Sequence, residues 1–451
     1  MSLKSEVRSI RQLAAPVVAT QVATMMLGVV DMLMLGHFSK EALAASAVGR
    51  VWVFGTVIIA QGLLLGLDPL ISQGHGARDR TRLAHGLQSG VWLVLLLSVP
   101  LALLWASTER VLELFGVAPE LCELAGPYAL AQIPGIPFYL GFHVLRSWLQ
   151  GRRIMRPAMW VVLIANAFNV VANWALIFGH LGLEPRGVQG AGIATALTQV
   201  FMAALLLLFV RGLDLGRGAW SPWSRSALKQ VGPILRMGAP IGLQFGLEVW
   251  AFQVATLMAE ELGTDVVAAH TIVLTLASIS FMVPLGISIG SSTRVGNLIG
   301  ARRFRQAQLA SGAGILLGGA VMVLFALIFV AGRDHLPRLF TREASVIAVA
   351  VTLLPVAAAF QLFDGVQVVA GGVLRGMGRT RILAAVHLVA FYALGLPLAW
   401  YLAFERGIGA AGIWWGLALG LGVVAVGLVV WVLHRGPATM DDSDADAPPR
   451  S

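Results

Sequence analysis

Charge is scarce in this chain: 12% of its 451 residues are Asp, Glu, Lys or Arg, against the roughly 25% of an ordinary soluble domain. With 57% hydrophobic residues and a mean hydropathy of +0.81, that deficit all but excludes soluble enzymes and nucleic-acid-binding modules. One cysteine, Cys122, allows no intrachain disulfide. The three lysines, Lys4, Lys40 and Lys229, follow Leu, Ser and Leu, so a GxxxxGK(S/T) phosphate loop is impossible and the chain does not drive itself with ATP. HExxH is absent, and the nine histidines show no paired metal spacing. No cofactor is expected. His143, His270 and His387 read as hydrogen-bonded structural residues.

What the chain does have is length in its apolar runs. Twelve candidate helices cover roughly 13–36, 44–67, 86–106, 122–145, 158–179, 187–211, 233–259, 266–291, 306–331, 346–373, 380–401 and 408–433. Runs of about 20 apolar residues span a bilayer as helices, whereas barrel strands are alternating segments of about 10. The N-terminus MSLKSEVRSIRQL reads as a basic, amphipathic lead-in rather than a signal peptide. Of 32 Lys and Arg, 24 fall in alternate segments on the N-terminal side, Arg146, Arg294 and Arg375 among them. That bias predicts an even number of spans with both termini cytoplasmic. The net charge of +9 is therefore a topology signal, not a nucleic-acid footprint.

The halves repeat. Ala15-Pro16, Ala44-Ala45 and Gly76-Ala77-Arg78 recur 224 residues later as Ala239-Pro240, Ala268-Ala269 and Gly300-Ala301-Arg302. Leu149 and Gly151 match Leu374 and Gly376, and RGVQGAGI (186–193) matches RGIGAAGI (406–413). Six spans per repeat give both halves one topology, related by a pseudo-two-fold axis along the membrane normal, as in rocking transporters. The predicted fold class is thus an all-α polytopic membrane protein of two six-helix bundles. The expected parts are an N-terminal lobe (1–211), a cytoplasmic linker (212–232), a C-terminal lobe (233–433) and a disordered tail (434–451).

Three acids lie deep in apolar spans: Asp31, Glu248 and Asp364. Each costs at least about 2.5 kcal/mol there, which points to function. Exchange of a proton, a sodium ion or a cationic substrate is the functional reading; bonding to a neighbouring helix for packing is the alternative. Glu248 and Asp364 occupy the first and fourth spans of the second half, both able to line a cleft, with Gln244, Gln253, Gln361 and Gln367 as polar neighbours. Asp31 stands with Asn166, Asn169 and Asn173 of span five, and Asn169 and Asn173 share one helix face. Pro16 and Pro355 share helices with buried acids and are the hinge candidates among the span prolines. GHGARDR (74–80) has the wrong Gly-to-Asp spacing for the signature loop of major-facilitator carriers, and its copy GARRFR lacks the acid.

The segments VDMLMLGH (30–37), GHGARDR, NVVANWALIFG (169–179), GVQGAGIATAL (187–197) and FDGVQVVAGGVLRGMGRTR (363–381) together resemble the multidrug and toxic compound extrusion (MATE) transporters, over the chain to about residue 433. The pair Glu248 and Asp364 looks like the NorM-type subgroup. The resemblance implies a multi-pass protein of the cell (inner) membrane, monomeric and not an enzyme, exporting cationic lipophilic compounds in exchange for H⁺ or Na⁺. Its expected partners are small organic cations, the coupling cation and the bilayer, with no nucleic acid. By carry-over, Glu248 and Asp364 hold the coupling cation, a sodium ion being the one metal in question. Asp31, Asn169 and Asn173 form the polar site of the N-terminal lobe. NorM-type members can carry a tyrosine four residues before the second acid; Phe360 stands there, which removes a possible sodium ligand and favours protons. A lipid-linked precursor flippase of the same superfamily would need a strongly basic cleft. A membrane acyl- or glycosyltransferase would need a catalytic His, Asp or Arg cluster at a membrane face, and a channel would need a ring of subunits.

Overall fold

The computed structural model describes residues 2–213, 222 and 224–441; every regular element among them is helical. The helices are α1 (Leu3–Phe38), α2 (Lys40–Leu64), α3 (Leu67–Gly76), α4 (Arg80–Ala106), α5 (Thr108–Leu114), α6 (Pro119–Gln132), α7 (Ile136–Gly151), α8 (Arg156–Phe178) and α9 (Gly187–Gly212). They continue with α10 (Arg225–Lys229), α11 (Val231–Glu261), α12 (Thr264–Gly300), α13 (Phe304–Ala331), α14 (Ala344–Met377), α15 (Arg381–His387), α16 (Leu396–Trp400) and α17 (Ala410–Arg435). Backbone amides in lipid have no water to bond, and a helix satisfies them within its own segment.

Eleven helical stretches among the described residues are long and apolar enough to span a membrane. The fourth expected span, 122–145, differs. It breaks after Gln132 into a tight turn, Ile133–Gly135, before α7 starts. Pro134 and Pro137 lie three apart there, each lacking an amide hydrogen and crowding the preceding turn. The counterpart α14 has the single Pro355 and stays continuous. The eleventh span is also uneven: wide-turn segments Leu388–Gly395 and Tyr401–Glu405 flank α16, beside Pro397.

The repeat is visible in backbone geometry. Arg78 and Arg302, which end the matching Gly-Ala-Arg segments, both adopt the left-handed conformation (φ 58° and 56°). The ends of α3 and α12 cross at van der Waals limits, in a reciprocal way. A Cβ on Gly76 would strike the Asn297 carbonyl, and one on Gly300 would strike that of Gln73. Asn297 Nδ2 donates to the Ser72 carbonyl at 2.8 Å, and Gln73 Nε2 to the Gly376 carbonyl at 3.1 Å. Asp79 caps α4 by accepting from the Arg82 amide, a structural role for the acid of the GHGARDR segment.

The compact units do not follow the expected halves. Among the described residues, one unit takes the chain up to Val18, Ser72–Arg78 and everything from Arg236; the other takes Ala19–Ile71 and Asp79–Leu235. Thus α1 passes from one unit to the other two residues after Pro16. Its first turn is no free lead-in. Glu6, fully buried, accepts from Arg294 at 2.8 and 2.9 Å and from Gln306 Nε2 at 2.9 Å.

Within the expected linker, α10 packs against α4, where Ser89 Oγ donates to the Ala227 carbonyl and Gln88 Nε2 to that of Pro222. The rest of the linker, 214–221 and 223, lies outside the described residues. The tail expected from 434 begins as the end of α17 and a short turn, Pro437–Thr439, that Gln308 holds through the Ala438 amide. Residues 442–451 lie outside the described ones.

Candidate functional site

Two polar clusters form around the three acids of the apolar helices, one in each unit; Asp31 and Asp364 are buried and Glu248 is partly exposed. In the unit Ala19–Leu235, Asp31 of α1 is 8% exposed. Asn173 Nδ2 of α8 donates to its Oδ1 at 2.5 Å, and Thr195 Oγ1 of α9 to its Oδ2 at 3.2 Å. The same Asn173 amide donates to Asn169 Oδ1 at 3.1 Å, as the shared helix face requires, and Asn169 donates to Thr198 Oγ1 at 3.4 Å. Arg50 stands in electrostatic reach of Asp31 while its Nη1 donates to the Gly28 carbonyl. Asn166, one turn before Asn169, donates to the Ala23 carbonyl and is a helix-to-helix tie instead.

In the other unit, Glu248 of α11 and Asp364 of α14 come together through one amide. Gln367 Nε2 lies 3.4 Å from Glu248 Oε1 and 3.3 Å from Asp364 Oδ1. His387, the last residue of α15, places Nε2 4.0 Å from Glu248 Oε2. Its Nδ1 lies 2.7 Å from the Leu383 carbonyl, an acceptor, which puts the ring proton on Nδ1. Nε2 then accepts from Gln244 Nε2 at 3.3 Å. His387 therefore belongs to the acid site rather than to the packing alone. Gln361 does not join the carboxylates: its Oε1 accepts from Ser280 Oγ at 2.9 Å, tying α14 to α12. Phe360 packs edge-on against Phe252 and Trp414 in an apolar cluster.

Two negative groups sharing one amide in an apolar surround repel each other unless a positive charge intervenes. Two further acceptors, Gln244 Oε1 and Gln367 Oε1, are buried without a hydrogen-bond partner. Buried acceptors of this kind cost free energy until a donor or cation meets them. Arg375 is a cation within electrostatic reach of Glu248; its Nη2 donates to Ser288 Oγ at 2.8 Å. Among the described residues no three His, Cys, Asp or Glu side chains converge as a metal site.

Sequence reasoning missed Thr195, Thr198 and the role of His387, because isolated hydroxyls and single histidines in apolar runs carry no spacing signal. It also assigned Arg146, Arg294 and Arg375 to loops. All three are helical; Arg146 and Arg375 are buried, and Arg294 is the ion-pair partner of Glu6.

One family model, MatE, matches the chain twice, over residues 16–175 and 240–401, which is the internal repeat seen again. The probable multidrug resistance protein NorM of Pseudomonas putida is 36% identical over 448 residues, covering 96% of each chain. The multidrug resistance protein MdtK of Pectobacterium atrosepticum is 33% identical, covering 96% of this chain and 97% of its own. Among solved structures, the eukaryotic MATE transporter AtDTX14 superposes with a TM-score of 0.90 at 25% identity over 99% of both chains. The double family match and full-length relatives meet the helical fold and its paired acid sites in one conclusion: the chain belongs to the MatE family and is a multi-pass membrane transporter, not an enzyme.

Proposed function

We propose that the protein is a secondary multidrug efflux antiporter of the cell (inner) membrane, monomeric, with both termini cytoplasmic. It exports cationic lipophilic compounds by alternating access, in exchange for a coupling cation taken at Glu248 and Asp364. The observation that carries this reading is the Gln367 amide shared by two membrane-embedded carboxylates, beside two acceptors without partners. Such a cluster is stable when one positive charge is present, whether it arrives as a drug or as the coupling ion. The two ligands therefore compete. Asp31, held by Asn173 and Thr195, supplies a second cation-attracting group. Pro16, at the point where α1 changes unit, and Pro355 in α14 serve as hinges. The names of the relatives, multidrug resistance proteins, support the drug class.

The proton is the preferred coupling ion, because Phe360 contributes no hydroxyl ligand four residues before Asp364. A potential of 100 mV adds about 2.3 kcal/mol per charge moved, so the stoichiometry decides the driving force. The test is uptake of a fluorescent organic cation into everted vesicles, driven separately by a proton and by a sodium gradient, with Asp364→Asn alongside. Accumulation under the proton gradient, lost in Asp364→Asn, is the expected result. Accumulation under sodium alone would change the ion. No accumulation under either, with folded protein in the membrane, would overturn drug antiport and bring forward a lipid-linked precursor flippase.

A further inference from the structure

Arg146 is a cation buried inside the unit Ala19–Leu235, on α7, with 8% of its surface exposed. Of its five donor hydrogens, one set is engaged: Nη1 donates to Gln21 Oε1 of α1 at 3.2 Å. Nε has no hydrogen-bond partner, and among the described residues Arg146 forms no ion pair. Asp68 is in electrostatic reach without pairing with it. Tyr139 lies in reach as well; its hydroxyl receives a hydrogen bond from Gln61 Nε2, which leaves the phenolic hydrogen for another acceptor. His143 lies edge-on to Tyr139 at 4.6 Å between ring centres. A buried charge without an ion-pair partner costs several kcal/mol, and a guanidinium whose Nε is left without a partner is suited to receive a carboxylate.

The position of Arg146 relative to Asp31 gives the ligand its shape. Gln21 and Asp31 are ten residues apart on α1, about 15 Å along the helix axis. Helix α8 runs beside that stretch: Asn166 bonds at the level of Ala23 and Asn173 at the level of Asp31. Asn169 and Thr198 fill the interval with polar groups. One unit thus holds a buried positive group and a buried negative group at two levels of α1, with polar side chains of α8 and α9 between those levels.

We propose that Arg146 is an anion subsite that receives the carboxylate of a zwitterionic amphiphile whose cationic end lies towards Asp31. This deepens the efflux reading and rests on it for the direction of transport, but binding at Arg146 is separately measurable. The probes are rhodamine 110, which carries a carboxylate and a cationic ring system, and rhodamine 123, its methyl ester, which lacks the carboxylate. Binding of each dye to the purified full-length protein is followed by fluorescence polarisation. The readout is the ratio of the two affinities. Arg146→Gln is expected to shift that ratio against rhodamine 110 by tenfold or more. Arg146→Lys, which keeps the charge and loses the fork, falls between the two. Asp31→Asn weakens both dyes and leaves the ratio in place. An unchanged ratio in both Arg146 variants would overturn the proposal and leave Arg146 a packing residue, as would a wild-type protein that does not bind rhodamine 110. If Arg146→Gln does not fold, Arg146→Lys alone decides by the same ratio. If the ratio shifts as expected but vesicles show no gradient-driven uptake, the subsite stands and the efflux reading falls.

Discussion

The two acid clusters solve the problem of a carboxylate in a membrane in opposite ways. Asp31 is a single charge whose two oxygens receive donors from two different helices, Asn173 of α8 and Thr195 of α9. Glu248 and Asp364 are two acids with one amide between them, and nearby Gln244 and Gln367 add acceptors without partners. In the first cluster one charge has a donor for each oxygen, with Asn173 Oδ1 a neighbouring acceptor without a partner; the second has two charges, one shared amide and two such acceptors. A satisfied carboxylate holds its geometry with or without a ligand. An acceptor-rich pair is incomplete until a cation arrives, so the second cluster is where occupancy has the larger energetic consequence. The proposed antiport therefore has its coupling step at that pair, with Asp31 in a constant attractive role.

Three substitutions would break or sharpen that contrast. The largest effect is expected from Glu248→Gln, which keeps the shape but removes one of two competing charges. Hydrogen bonds to charged groups contribute about 1.5–3 kcal/mol, so gradient-driven uptake in everted vesicles should drop by ten- to a hundredfold. Unchanged uptake would show that Asp364 alone does the coupling. Asp31→Asn comes next, with cation affinity reduced about tenfold and the choice between proton and sodium gradients unaltered; titration with a fluorescent cation and the two-gradient assay separate these. A change of coupling ion in that variant would erase the proposed division of labour. Thr195→Val, which removes one neutral donor to Asp31, should cost about 1 kcal/mol, a fall of about fivefold in the same titration. Loss as large as in Asp31→Asn would mean that the hydroxyl itself contacts the ligand.

Much of this contrast was legible before any coordinates. Asp31, Glu248 and Asp364 stood out because an acid inside an apolar run is expensive, and Asn169 and Asn173 stood out because four residues return to the same helix face. The partners were harder to see. Gln367 joins the two acids, yet six residues earlier Gln361 bonds to Ser280 instead. Nothing in spacing tells these glutamines apart; the difference lies in which neighbouring helix each one meets. The arginines misled for a related reason. Arg146, Arg294 and Arg375 sit within a turn or two of helix ends, where a count of positive residues reads them as loop charges. Their long side chains turn inward to Gln21, Glu6 and Ser288.

Composition and periodicity by themselves determined that this protein is a set of membrane-spanning helices, because a backbone in lipid can satisfy its amides in few other ways. They also determined the repeat and the three acids, since these are properties of single segments compared with one another. Only the tertiary structure decided which segments pack as one body. The first turns of α1 and the end of α3 from Ser72 join the unit that takes everything from Arg236, through the Glu6–Arg294 pair and the reciprocal crossing at Gly76 and Gly300. That outcome depends on side chains nearly three hundred residues apart meeting at less than 3 Å. Such distances are set by the packing of whole helices, which no local pattern in the chain encodes.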